Sequence, residues 1–436
     1  MSVMQVGKWA RGVALPPDWW VPKADGRTLH ADFRAGEFWD NVAGALSIGA
    51  FAAFDRNSEA GRHSPFGLFE PVAADLIRRD FDPATGAALG ALLEAAATYA
   101  RVNSLMTGLI AGSPGTAPDG WSIPAPAGLT RTLSLVTTSG RPKLRVHYAG
   151  APAANFQFLL QMIPSLTLAA ASGQVWTYGA RFSCGGTGLD GNSLALNHWE
   201  TDGANAILRS GAVGGTSPLA HTRRSTTVTL GVSTAYLRLL LGSGIIAAGT
   251  TCDFWIDIEA PQLTQTAYLP SELLVGAAGA TRLADDLSRP IAGHIGAAEG
   301  GLFFEAAPID AATAQILGGL YWPSGDLIEA RRTASDRIVV EAVSGGVQVA
   351  YLDLGAHVGG ALVKVALGWA EDDFAARMSG GSLLTDGSFP IPAGEPTLRL
   401  GSRPGPVYLL NGHLRQATVY PARAIMTNAK IGELVG

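Results

Sequence analysis

From about residue 125 onward, apolar residues fall in short runs, alternating with polar ones or continuous, and Gly, Ser, Asp and Pro separate the runs. A period of two places successive side chains on opposite faces, so this pattern predicts strands joined by turns. In the middle of the chain it predicts strands over 143–148, 174–184, 193–199, 226–231, 235–241 and 252–259, with turns at Ser139-Gly140, Gly185-Gly186 and Asp202-Gly203. Toward the C-terminus it tightens into hairpins: 336–343 and 347–354 flank Ser344-Gly345-Gly346, and 362–369 and 374–378 flank Glu371-Asp372-Asp373. Strands over 397–400 and 414–420 follow. Before residue 125, helical spacing predicts short helices over 70–79 and 89–99, the second with Gly90 in its first turn. No repeat of solenoid or propeller length recurs. The expected fold is mainly β: two tandem antiparallel β-sandwich domains (101–278 and 279–436) behind an irregular, partly helical N-terminal region (1–100). The joint is expected within 271–289, which mixes Gly276, Gly279, Asp285, Asp286 and Ser288 with few bulky residues.

Strand parity then separates core from surface. In 252–259 the inward set is Phe254, Ile256 and Ile258, leaving Trp255 and Asp257 outward. In 143–148, Leu144 and Val146 go in, and Arg145 and His147 go out. In 235–241, Leu237 and Leu239 go in, and Tyr236 and Arg238 go out. Leu194 and Leu196 leave Asn197 and Trp199 outward, and the inward set Trp176, Tyr178 and Phe182 leaves Arg181. Flat aromatic rings stack on the C–H faces of sugar rings, while planar polar groups fix hydroxyl directions. The outward set Arg145, His147, Arg181, Asn197, Trp199, Tyr236, Arg238, Trp255 and Asp257 is therefore a candidate carbohydrate platform, with packing of the two tryptophans under loops or a neighbouring domain as the alternative. His198 falls on the inward parity, as a core histidine would. The segment His221-Thr222-Arg223-Arg224 is a weaker candidate grip for an acidic sugar.

Composition narrows the function. Hydrophobic residues are 47% of the chain and charged ones 15%, yet no apolar stretch reaches the length of about 18 residues that a spanning helix needs. Net charge is −5 with no basic run, which argues against nucleic acid and anionic membranes. Residues 1–26 carry no basic-then-apolar signal segment, so synthesis in the cytoplasm and release by lysis within a particle are expected. The two cysteines, Cys184 and Cys252, read as apolar packing thiols. Neither Gly-x-Ser-x-Gly, a phosphate loop nor a His-Glu-x-x-His helix is present, so neither catalysis nor a cofactor or metal is expected. The adjacent carboxylates Asp285-Asp286 and Asp372-Asp373 are not the opposed pair, about 5–9 Å apart, that glycoside hydrolysis uses; Asp257 with Glu200 is the distant pair that remains.

Three segments carry a resemblance: 81–94 (FDPATGAALGALLE), Arg101-Val102-Asn103-Ser104-Leu105, and Ala260-Pro261-Gln262-Leu263 followed by Tyr268-Leu269-Pro270 and Thr281-Arg282. In this order they resemble phage structural proteins that carry a carbohydrate-binding jelly roll, either tail fibres or head spikes, and the related part of a gene transfer agent. Gly301 to Glu305, Ala366-Leu367-Gly368-Trp369, Met378-Ser379-Gly380-Gly381, Leu398-Arg399-Leu400-Gly401 and Leu414 to Tyr420 resemble a concanavalin-like or laminin-G-like sandwich, without an acidic set matching a lectin calcium site. The resemblance implies a virion-surface adhesin that binds host capsular polysaccharide, with a capsule depolymerase and a purely structural spike or baseplate subunit as alternatives. The aromatic-rich N-terminal region (Trp9, Trp19, Trp20, Phe33, Phe38, Trp39, Phe51, Phe54, Phe66, Phe69) is expected to dock on other particle subunits, to pack on the first sandwich, or both. Homo-oligomeric assembly is a further expectation.

Overall fold

The structure, a computed structural model, describes residues 26–296, 298–309 and 313–436. It is mainly β, as the alternation requires, and its strands enclose two principal cores.

The first sandwich sets one sheet, in the order Leu129–Thr138, Arg141–Gly150, Cys252–Thr264, Val175–Thr187 and Leu219–Thr229, against a second. The second runs Phe156–Ile163, Tyr236–Ile246, Ser193–Thr201 and Ile207–Thr216. Between them lie Tyr148, Phe158, Tyr178, Phe182, Leu196, Leu239, Phe254 and Ile256, all fully buried. The inward residues assigned by parity, including Leu144, Val146, Trp176, Leu194, Leu237 and Ile258, all belong to this core. Cys184 and Cys252 are free thiols in it, and burial pushes both pKa values up.

The second sandwich draws strands from both ends of the described chain. Its larger sheet runs Leu384–Asp386, Asp373–Met378, Val363–Ala370, Gly300–Pro308, Gly412–Tyr420, Leu29–Asp32, Glu37–Asp40 and Gly44–Leu46. The facing sheet ends in Asp286–Pro290 and then Ala53–Asp55. Strands within 29–55 and 79–93 therefore complete the sandwich expected from 279–436, while the hairpin of Ala60–His63 with Phe69–Val72 lies against the first one, where Arg141 covers the Phe69 ring and Phe69 N donates to the Ser139 carbonyl. Phe33, Phe38 and Phe51 form an aromatic trio in the second core, with centroids 5.2–6.1 Å apart. Trp9, Trp19 and Trp20 lie outside the described residues.

Both helices expected before residue 125 are corrected to strands. Phe69–Val72 pairs with Ala60–His63, and Pro71, which lacks a backbone N–H, suits such a short hairpin better than a helix. Ala88–Leu93 pairs with Gly412–Tyr420. At Gly90, φ is +118° and a Cβ would lie 2.3 Å from the Leu414 carbonyl oxygen, so only glycine fits this approach of two backbones. Among the described residues before 125, the helix is the single turn Ile48–Phe51, capped by Ser47.

The two cores meet at a buried ionic cluster. Arg78 reaches Glu94 at 2.6 Å and Asp285 at 2.5 Å; Arg56 reaches Asp285 at 3.2 Å; Arg282 lies 3.3 Å from Glu94 and 3.6 Å from Asp285. All three guanidinium groups are out of solvent. Burial alone would raise the Glu94 pKa, but Arg282 and Arg78 beside it hold it down at about 2. The joint 271–289 is thus a seam of charges. Removing one partner of such a cluster strands the others without compensation, so Asp285→Asn is expected to cost about 3–5 kcal/mol of unfolding free energy in a urea titration. A carboxyl depressed on folding stabilises the fold above its unfolded pKa and loses that contribution as pH falls through the folded one. Glu94 therefore predicts stability, followed by denaturant titration, that declines from about pH 4.5 toward pH 2.

Candidate functional site

The nine outward residues do not form one platform. They divide between the two outer faces of the first sandwich, because the strands that carry them belong to opposing sheets.

On the outer face of the five-strand run lie Arg145, His147, Arg181, Trp255 and Asp257. His147 stands opposite Trp255, and Arg145 opposite Asp257, in the pairing of Arg141–Gly150 with Cys252–Thr264. On the other side Gly185 stands opposite Trp255. A Cβ at Gly185 would come within 3.1 Å of the indole, so the glycine leaves the room in which that ring lies. The Arg145 guanidinium sits over the same ring, 4.6 Å from its centroid, and binds Asp257 through two hydrogen bonds of 2.7 and 2.9 Å. Those bonds raise the Arg145 pKa. Lys143 adds a third contact to Asp257 at 3.2 Å. Arg181 pairs with Glu272 at 3.2 Å, and His147 with Asp253 at 2.6 Å. The charges of this face largely satisfy one another.

On the outer face of the four-stranded sheet lie Asn197, Trp199, Tyr236 and Arg238. Trp199 and Arg238 are directly opposed across adjacent strands, with the guanidinium 4.8 Å from the ring centroid. Parity placed Arg238 outward correctly, yet it is only 7% exposed. Its Nη2 donates to Gln161 Oε1 at 3.0 Å, and its Nε has no hydrogen-bond partner. Burial lowers its pKa. Gln161 went unrecognised because it lies in Phe156–Ile163, whose Leu159 breaks the polar alternation and hides the outer face.

The weaker candidates resolve as structure. His198 is buried and its Nδ1 meets the Tyr178 hydroxyl at 3.0 Å, a core histidine. Burial lowers its pKa. Glu200 lies inside the sandwich, accepting from Gly231 N and Thr234 Oγ1, both at 2.7 Å, while Asp257 is on the outer face of the other sheet. That pair does not flank one cleft. Asp285 belongs to the buried cluster, Asp286 pairs with Arg399 at 2.6 Å and Asp373 with Arg423 at 3.0 Å. In 221–224, His221 meets Ser183 and Glu259, Arg223 turns toward Gln262 and Glu272, and Arg224 covers the Phe182 ring. Among the described residues no group of three or more His, Cys, Asp or Glu is placed to hold a metal ion, and no helix is long and apolar enough to cross a membrane.

The fold and the two faces define a multi-sheet β-sandwich protein with part-exposed Trp–Arg pairs. No family model and no curated protein matches the chain. Among solved structures, it is similar to a carbohydrate-binding module of the Ruminococcus gnavus IT-sialidase bound to α2,3-sialyllactose. That likeness has 18% identity, 32% of this chain and 83% of that one covered, and a TM-score of 0.28. Domains LG4-5 of the mouse laminin α1 chain match at 9% identity over 62% of this chain and 88% of that one, TM-score 0.21. The tail fibre protein gp63.1 of E. coli phage G7C matches at 11% identity over 69% of this chain and 39% of that one, TM-score 0.20. At such scores none of the three bears on what this chain binds.

Asp257 is 2% exposed and anchors two cations, so Asp257→Asn is expected to lower stability by about 1.5–3 kcal/mol, toward the lower figure because Arg145 keeps 41% of its side chain in solvent. Urea unfolding of the variant checks it, and indole fluorescence reports the loosened Arg145–Trp255 contact.

Proposed function

We propose that this chain is a non-enzymatic binding protein whose first sandwich holds a cell-surface polysaccharide, and that it works on the surface of a virion or phage-like particle. The observation that carries the binding reading is the repeated pairing of a half-buried tryptophan with an arginine on an outer sheet face, Trp255 with Arg145 and Trp199 with Arg238. An indole whose position is fixed by its neighbours loses little entropy when a sugar ring stacks on it. Beside each ring stand planar donors and acceptors at sheet spacing, suited to hydroxyl groups. The absence of catalysis is part of the proposal: the carboxylates nearest Trp255 are engaged by cations, and Asp257 and Glu200 lie apart.

The particle setting rests on the segments 81–94, 101–105 and 260–282 and their resemblance to phage and gene-transfer-agent fibres and spikes. In that setting the N-terminal region would engage other subunits, and the protein would reach the outside by lysis. A sheet face buries little of a sugar, so single-site affinity is modest. Several copies per particle, or a homo-oligomer, would raise avidity by ~10²–10⁴ where geometry allows simultaneous contact.

Co-sedimentation with capsulated and capsule-free cells tests the reading, with polymer length followed in the same tube. Capsule-dependent binding with polymer length unchanged is expected, and Trp255→Ala should weaken it about tenfold, the worth of roughly 1.4 kcal/mol. Shortened polymer would make the protein a depolymerase. No binding to either cell type would make it a structural subunit.

A further inference from the structure

Six other arginines are as buried as Arg238: Arg56, Arg78, Arg141, Arg282, Arg332 and Arg423. Each has a carboxylate partner, namely Asp285, Glu94 with Asp285, Glu272, Glu94 with Asp285, Asp336 and Asp373 respectively. Arg238 forms no ion pair among the described residues; its one side-chain acceptor is the neutral amide of Gln161. Burying a cation without a counter-charge is costly, and a chain that pairs its other buried arginines leaves this one open.

The opposite face shows what the missing partner is. There Arg145 lies over Trp255, and Asp257 closes the arrangement with a two-pronged carboxylate contact. At Trp199 the guanidinium over the ring is repeated, but the carboxylate is not. We infer that the outer face of the four-stranded sheet is a second, acid-selective sugar site, in which the carboxylate of a uronic-acid residue pairs with Arg238 while its ring packs beside Trp199. The planar fork of a guanidinium matches a carboxylate through two parallel hydrogen bonds, and a site fenced by a tryptophan and by the amides of Gln161 and Asn197 suits a sugar ring bearing that carboxylate. Gln161 holds Nη2 and so fixes the orientation of the fork. Asn197 lies on the same face, two residues from Trp199 on its strand and opposite Leu240, the second residue after Arg238. This inference rests on the polysaccharide-binding reading and gives it a substrate class: acidic polymers, bound on a face separate from Trp255.

The test is a calorimetric titration of the full chain with a uronic-acid oligosaccharide, with the same oligosaccharide after carboxyl reduction, and with sodium sulfate as competitor. Binding of the acidic oligosaccharide at least tenfold tighter than of the reduced one is expected, with Arg238→Gln removing the difference and Trp255→Ala preserving it. Equal affinity for the two oligosaccharides overturns the acid-selective site and leaves polysaccharide binding standing; no binding of either overturns both. Displacement of the acidic oligosaccharide by an equal concentration of sodium sulfate shows a general anion site and overturns the sugar assignment. Urea unfolding of the ligand-free Arg238→Gln protein shows whether the variant is folded; where it is not, the comparison of the two oligosaccharides on the native protein decides the proposal by itself.

Discussion

Three guanidinium groups and two carboxylates, sealed from solvent between the two cores, are the constraint on which the rest of this architecture depends. Their residues come from widely separated stretches: Arg56, Arg78 and Glu94 from connections beside the strands that precede the first sandwich, Arg282 and Asp285 from the segment that leaves it. Backbone carbonyls absorb the excess cation, Arg56 donating to Ser58, Val72 and Ala73, and Arg282 to Ala95. Desolvating five charges is costly, and apolar residues of the same volume would stabilise the seam as well or better. What the charges add is geometry. The pairing of both carboxylates goes with the arrangement that puts Ala88–Leu93 beside Gly412–Tyr420 and Ala53–Asp55 beside Asp286–Pro290.

A second layer of contacts extends this seam toward the outer face that holds Trp255. Arg141 bridges Glu272 and His63, Arg181 and Arg223 approach the same Glu272, and Arg181 lies 3.9 Å from Glu259, which also takes His221. Through these residues the charged face of the first sandwich is continuous with the junction between the domains. Three cations hold the Glu272 carboxyl below the ordinary carboxylate range despite its burial. The Trp255 face is thereby stiffened from below by the core and from its flank by ion pairs, whereas on the Trp199 face Arg238 is held by the amide of Gln161.

The β character of the chain was legible from alternation wherever one face of a strand met a core, as in 252–259, where Phe254, Ile256 and Ile258 all point inward. Alternation failed where both faces are covered or neither face is apolar. Ile207–Thr216 is exposed along much of its length and rich in small residues, so it carried no signal. Gln315–Tyr321 is buried throughout and equally gave none. The helices expected over 70–79 and 89–99 failed for a different reason: their spacing was local, whereas Ala88–Leu93 is held as a strand between Arg79–Phe81 and Gly412–Tyr420, the second of these more than 300 residues away. For the site, parity separated inside from outside at each strand but held no information on which sheet a strand would join. That is why nine outward residues read as one surface became two, and why Gln161, on a strand without clean alternation, stayed hidden.

The division into two faces changes what the same residue types can do. Arginine over tryptophan is a favourable contact by itself, worth about 0.5–1 kcal/mol when exposed and more when desolvated. Beside Asp257 it is a closed unit: the carboxylate neutralises the guanidinium, and the indole offers a sugar an apolar surface with little net charge. Beside Gln161 the unit stays open, and the positive charge is only partly screened by an amide dipole. A neutral polymer would meet both faces on similar terms, since stacking is common to them. An acidic polymer would distinguish them, because its carboxylate would repel Asp257 on one face and complete the coordination of Arg238 on the other. One sandwich can thus present two chemically distinct surfaces to a single chain of sugars, and the difference between them comes down to the presence or absence of a single carboxylate.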